Sequence, residues 1–118
     1  MRDLELMEMP PFNPLQDGDY WCQEIVVLNK HGLHARPSAK IFEKVLMPLG
    51  EELELHFVVD EHGQVPIKSV FDLMSLGLEQ GTKVNLKLKV LGETENNPER
   101  SAEILSEIRE LFLSFCDD

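Results

Sequence analysis

Residues 53–90 read LELHFVVDEHGQVPIKSVFDLMSLGLEQGTKVNLKLKV, and the two ends of this stretch share one pattern. Leu53, Leu55, Phe57 and Val59 alternate with Glu52, Glu54, His56 and Val58, as Val84, Leu86, Leu88 and Val90 do with Lys83, Asn85, Lys87 and Lys89. A period of two sends alternate side chains to opposite faces, so both segments read as strands with one buried and one wet side. Between them, residues 61–64 (EHGQ) form a turn into a short strand, Val65 to Lys68, which Pro66 confines to a short or edge position. Ser69 then stands as the N-cap of a helix over Val70 to Leu76 that ends at Gly77, with Asp72 at N3 in a spacing that resembles a capping box, although Asp reaches back less well than Glu or Gln.

Working outward, Glu24 to Leu28 (EIVVL) is a β-branched apolar run, a first strand, and residues 29–32 (NKHG) are turn chemistry. Arg36 to Leu49 follows as an amphipathic helix with Pro37 near its start. Its Phe42, Val45, Leu46 and Leu49 lie on one face, and Pro48 and Gly50 stop it. Near the other end Asn97 caps and Pro98 begins a last helix, striped by Ile104, Leu105, Ile108, Leu111, Phe112 and Phe115. The order βαββαβα predicts an α+β domain: a four-stranded antiparallel sheet covered on one face by three helices, with Glu54, His56, Lys87 and Lys89 on the open face. Residues 1–21 carry Pro10, Pro11 and Pro14 and show no sustained period. They read as an extension, partly ordered at most, in which Phe12, Tyr20 and Trp21 are large enough to lie back on a domain spanning 22–118.

A chain of 118 residues with 42% hydrophobic side chains suits one domain with a core of its own. Its 22 acidic against 11 basic residues give a net charge of -11, which repels polyanions and argues against nucleic acid as a partner. Cys22 and Cys116 are too few for a disulfide framework and read as free thiols in a reducing compartment. The acidic, proline-broken start does not resemble a signal peptide and no stretch approaches membrane-spanning length, so a cytoplasmic monomer without membrane insertion is expected.

The chemistry concentrates at His31-Gly32-Leu33-His34-Ala35-Arg36-Pro37. His34 stands where a loop becomes a helix, beside backbone N–H groups that lack intrahelical acceptors. A phosphate there meets the amides around Ala35, Arg36 and Pro37, the positive end of the helix dipole and the fork of the Arg36 guanidinium. A neutral imidazole is also a nucleophile able to take a phosphoryl group. The bland alternatives are a surface or capping histidine and a helix-start arginine. His31 and His34 at i, i+3 also permit a metal-dependent hydrolase, but no cysteine or carboxylate lies near them in sequence, and neither metal nor cofactor is expected.

Two motifs resemble the HPr family, the histidine-containing phosphocarriers of the phosphoenolpyruvate:sugar phosphotransferase system. The pattern GxHARP is met at Gly32, His34, Ala35, Arg36 and Pro37, and KS(I/V)xxxMSLG at Lys68, Ser69, Val70, Met74, Ser75, Leu76 and Gly77. The resemblance covers roughly residues 22–116 and implies the family's open-faced β-sandwich. It implies phosphorylation of His34 at Nδ1 with Arg36 as phosphate partner, and a regulatory serine at Ser69, whose other reading is a plain helix cap. It further implies a docking patch of Ala39, Val70, Phe71 and Met74. The partners implied are Enzyme I, downstream phosphotransferase proteins and an HPr kinase/phosphorylase, and the protein is a carrier rather than an enzyme. A different reading is a regulatory HPr-like module with little part in sugar transport. The chain departs from the family in its extension, in a longer stretch between Arg36 and Ser69, and in Glu43 and Asp72, acidic where basic or neutral residues are common.

Overall fold

The segment that alternates near residue 90 forms the middle strand of an antiparallel sheet in the computed structural model, which describes residues 8–60, 62–91 and 98–115. The strands are β1 (Leu15–Asp17), β2 (Tyr20–Val26), β3 (Leu53–Val59), β4 (Gly63–Pro66) and β5 (Lys83–Val90), in the spatial order β1-β2-β5-β3-β4. Because β5 pairs antiparallel with both β2 and β3, those two strands run the same way with β5 between them. The helices are α1 (Ala35–Ile41), α2 (Val70–Ser75) and α3 (Pro98–Ser114). Ile25, Leu55, Phe57, Val84, Leu86 and Leu88 on the inner face of the sheet meet Ile41, Leu73, Ile104, Ile108 and Phe112 of the helices in one core. This is the expected α+β architecture with one difference: the sheet has five strands, because Leu15–Asp17 forms a hairpin with β2.

That hairpin moves the start of the sheet. The first strand begins at Tyr20 rather than Glu24, and the expected domain start near residue 22 falls inside it. Residues 10–13 are also tied down. The Arg109 guanidinium donates to the Pro10 carbonyl from Nε (3.1 Å) and from a terminal nitrogen (2.8 Å). The buried Gln23 amide donates to the Pro11 carbonyl at 3.0 Å and accepts from the Asn13 N–H at 2.8 Å. Residues without a hydrophobic period are held by polar side chains of the sheet and α3, a mode that periodicity cannot register. Residues 1–7, Glu61, Asn97 and Cys116 lie outside the described residues.

The helix expected over Arg36 to Leu49 starts one residue earlier, at Ala35. It changes character in its second half: Phe42–Leu46 is a π-helical turn and Met47–Leu49 a last helical turn before Gly50 at φ 53°. Pro48 cannot donate to the carbonyl four residues back and its ring crowds it, and the wider turn lets the chain pass through the proline. The short strand expected at Val65 to Lys68 pairs instead over Gly63–Pro66, so Ile67 is free to enter the core. The helix over Val70 ends at Ser75, with Leu76 as its C-cap.

The outer face of the sheet is less open than its alternation suggests. Tyr20 lies over it, donating its hydroxyl to Glu54 Oε2, which is also 2.9 Å from His56 Nε2. Lys87 stands 5.1 Å from the Tyr20 ring centroid and pairs with Asp17 at 3.4 Å. The Tyr20 hydrogen bond, followed by that of His56, holds the Glu54 carboxyl below the ordinary carboxylate range, and the same bond to Glu54 raises the Tyr20 phenol. Beside this cluster burial pushes the Cys22 thiol up, as suits an unreactive thiol.

The loop from Leu28 to His34 is fixed from the opposite side of the chain. The Leu33 N–H donates to the Leu78 carbonyl at 2.9 Å, the Gly81 N–H to Val27 at 2.7 Å and the Gln80 amide to Leu28 at 3.0 Å. Gly32 makes this approach possible: at φ 72° it turns the chain, and a Cβ on it would run into the Leu78 carbonyl oxygen. Within the loop the buried Asn29 amide donates to the Gly32 carbonyl, which also accepts the His34 N–H at 3.0 Å. Gly32→Ala is expected to lose on the order of 3 kcal/mol, because left-handed strain adds to a collision with backbone that cannot swing away. Chemical denaturation checks this, and a loss below about 1 kcal/mol would show that the loop yields. Tyr20→Phe should lower the melting temperature most above the ordinary carboxylate range. A carboxyl whose folded value is depressed contributes stability there and loses it as the pH falls through that depressed value, so the gap from the parent closes in acid. A gap independent of pH would assign the Tyr20 contribution to packing alone.

Candidate phosphoryl-acceptor site

His34 occupies the N-cap of α1 with extended backbone (φ -87°, ψ -165°), and its side chain makes no capping hydrogen bond. Its carbonyl accepts the first helical bond, from the Ser38 N–H at 3.1 Å. The preceding amides of the first turn, on Ala35 and Arg36, thus have no acceptor within the helix, and Pro37 at N3 has no N–H at all. In most helices the N-cap side chain would turn back to take one of these donors. Here the imidazole turns elsewhere: its Nε2 is enclosed with no hydrogen-bond partner.

Ala35 and Arg36 are exposed at the helix start, whereas Pro37 is buried and anchors the turn. His31 lies on the far side of Gly32, exposed, with its ring edge-to-face with that of His34 at 6.1 Å between centroids. No group of three or more histidine, cysteine or carboxylate side chains among the described residues is arranged to hold a metal ion.

The second motif lies close by, because α1 and α2 pack against one another. Ser69 caps α2 with the full capping box: its Oγ accepts the Asp72 N–H at 3.3 Å, and Asp72 Oδ2 accepts the N–H groups of Ser69 (3.1 Å) and Lys68 (2.7 Å). Asp72, acidic where basic or neutral residues are common in the family, thus has its carboxylate engaged by backbone, as its N3 position predicts. Glu43 is exposed on the π-helical turn. Of the expected docking residues, Phe71 is 81% and Met74 42% exposed, far beyond what a core position tolerates, while Ala39 and Val70 are half-buried. Sequence reasoning read Asn29 only as part of a turn and passed over the Leu78 carbonyl, which together set the loop's shape; an asparagine three residues before a turn glycine was the available signal.

The family model described as "PTS HPr component phosphorylation site" matches residues 22–112. No curated protein matches. Among solved structures, HPr-C-His from Thermoanaerobacter tengcongensis is 29% identical, with 79% of this chain and 94% of that one aligned at a TM-score of 0.54. The histidine-containing phosphocarrier protein of Mycoplasma is 16% identical over 80% of this chain and 94% of its own at a TM-score of 0.57, a likeness of fold. With three-quarters of its length matched by the family model, the chain belongs to the HPr family, the phosphocarriers of the phosphotransferase system, which are carriers of a phosphoryl group and not enzymes.

Proposed function

We propose that His34 takes a phosphoryl group from phospho-Enzyme I at Nδ1 and hands it to a downstream phosphotransferase protein in the cytoplasm. The observation that carries this reading is the unused cap at α1, where an imidazole with its other nitrogen enclosed stands beside amides that lack helical acceptors. A phosphoryl group on Nδ1 would accept from the Ala35 and Arg36 amides and from the Arg36 guanidinium, each a charge-assisted bond. Phosphoryl transfer asks chiefly for such placement and charge stabilisation. The exposed Phe71 and Met74, with half-buried Ala39 and Val70, serve in this reading as the apolar surface on which Enzyme I and its successors dock, a reading supported by the packing of α1 on α2.

Ser69 serves in this reading as a regulatory phosphorylation site for an HPr kinase/phosphorylase. A phosphate on its Oγ would sit over the docking patch and would compete with the Asp72 carboxylate for the amides of Lys68 and Ser69. That competition favours a carrier in which the serine switch is harder to set, and it leaves less weight for the purely regulatory module.

Incubation with Enzyme I and phosphoenolpyruvate should give one acid-labile, alkali-stable phosphate, absent from His34→Ala. Arg36→Ala should slow transfer by roughly tenfold or more while the melting temperature moves little, since an exposed side chain at a helix start contributes little to the core. Full labelling of His34→Ala would sink the assignment, and an unchanged rate with a collapsed fold would make Arg36 structural. Ser69→Asp should cut the rate of His34 phosphorylation by roughly tenfold through charge beside the docking patch. A rate equal to that of the parent would remove Ser69 from regulation.

A further inference from the structure

We infer that the chain carries a second binding site: a groove along the edge of β3 that takes a small amphipathic anion, its apolar body against the sheet edge and its single carboxylate on Lys68. The inference is independent of the function proposed above, since it uses neither His34 nor the Phe71 and Met74 surface. β4 pairs with β3 only from His56 to Val59. The Ile67 N–H then donates to the Leu55 carbonyl at 2.8 Å, and the chain leaves the sheet for α2. Past that bond the Leu53 end of β3 has no strand beside it on the β4 side among the described residues. Across the gap stand Phe42 and Leu46 of the π-helical turn, Met47, and the start of the 3-10 turn Gly50–Glu52. The groove between them holds about 730 Å³, within the range of roughly 300–1,000 Å³ for small-molecule sites.

The lining sets the chemistry of the occupant. Leu55 and Ile67 are buried in the wall, whereas Met47 and Leu91 line the groove at 61% and 40% exposure. Two large apolar side chains left in water beside an apolar groove favour an occupant with an apolar body, which removes that surface from water. The polar groups select its head. Lys68 lines the groove next to the buried Ile67, and among the described residues its ammonium has no hydrogen bond or ion pair; only its backbone N–H is engaged, by Asp72. The Glu54 carboxylate is already held by Tyr20 and His56, and the second ring nitrogen of His56 is enclosed. Glu51 is exposed on its turn, where water screens it, and it disfavours a second negative charge on the occupant. Lys68 by contrast stands at the buried end, where a charge pair counts for more than in open water. Phe42 lies about 12 Å along the helix axis from His34, so the groove is at the far end of α1 from the phosphoryl-acceptor site.

The probe is octanoate, kept below its micelle concentration and titrated into the isotopically labelled full chain, with octan-1-ol and octylamine as neutral and cationic analogues. Octanoate should shift the amide resonances of Leu53, Leu55, Ile67 and Lys68 saturably. Octan-1-ol should bind roughly three- to fivefold more weakly, as for the loss of one exposed ion pair, and octylamine more weakly still. Lys68→Gln should weaken octanoate by the same factor and leave octan-1-ol unchanged, and Lys68→Arg should restore octanoate. Met47→Glu, which puts a carboxylate at an exposed position of the lining, should weaken octanoate by roughly tenfold while the rest of the spectrum stays in place. Leu91→Glu, also at an exposed position, repeats that measurement from the other side of the groove. Shifts centred on Phe71 and Met74, no saturable shift, or octylamine binding as tightly as octanoate would overturn the site. Octanoate binding that ignores both Lys68→Gln and Met47→Glu would do the same. A concentration-dependent dimer in sedimentation that Met47→Glu dissociates would give the groove to a second copy of the chain and overturn the small-molecule site.

Discussion

One backbone contact governs the functional end of this molecule: the passage of Gly32 against the Leu78 carbonyl, sealed by the Leu33 N–H to that oxygen. It ties the loop that follows β2 to the segment that follows α2, two pieces far apart in sequence. The helix start of α1 is thereby set in position relative to α2, and with it the imidazole of His34. The requirement is steric before it is energetic, since no residue with a side chain fits between these backbones, and the left-handed turn at Gly32 answers the same demand. Polar groups then complete the loop, with the buried Asn29 amide on the Gly32 carbonyl and Gln80 on Leu28. A site on a loop is only as well defined as the scaffold behind it, and this loop borrows its definition from the rigid sheet and helix junctions at both ends.

The strands and helices that bury one face were legible in the sequence because burial writes a period. Leu55, Phe57 and Val59, and Val84, Leu86 and Leu88, alternate as the sheet demands, and the α3 stripe recurs at helical spacing. The capping box at Ser69 and Asp72 was legible for a similar reason, as two residue types at a fixed offset. What went unread has no period. The β1 hairpin and residues 10–13 are held by Gln23 and Arg109 through carbonyls that any residue carries. Tyr20 covers the outer sheet face through one hydroxyl and two lysines. The π-helical turn is a response to Pro48, where the sequence signal alone reads as a stop. His34, Ala35, Arg36 and Pro37 were legible as a motif, yet the enclosure of the His34 Nε2 is a property of the packed fold.

Charge on this protein is distributed by occupation as much as by count. A net charge of -11 suggests repulsion toward acidic partners, but individual carboxylates are spent locally. Asp72 holds two amides, Glu54 holds a phenol and an imidazole, and Asp17 and Asp19 pair with Lys87 and Lys89. Replacing Asp72 by lysine to remove an acidic rim would therefore remove the cap of α2 at the same time, at a cost of about 1 kcal/mol or more. Glu43, exposed on the π-helical turn, is the acidic departure whose charge can be altered without dismantling a hydrogen-bonded terminus.

The two helix starts that lie together on this face are built on opposite plans. At α2 the N-cap and N3 residues satisfy the terminus reciprocally, so its positive end is already neutralised by a carboxylate of its own. At α1 the N-cap side chain declines that task, N3 is a proline, and the first-turn amides keep no acceptor from within the helix. The two termini thus differ in that one is closed by its own side chains and the other, at His34, has no side-chain cap. An unsatisfied cap weakens a helix by about 1 kcal/mol. Here the burial of Pro37, Ser38 and Ile41 and the packing of α1 on α2 and α3 offset that weakness, so the helix keeps its form without a side-chain cap.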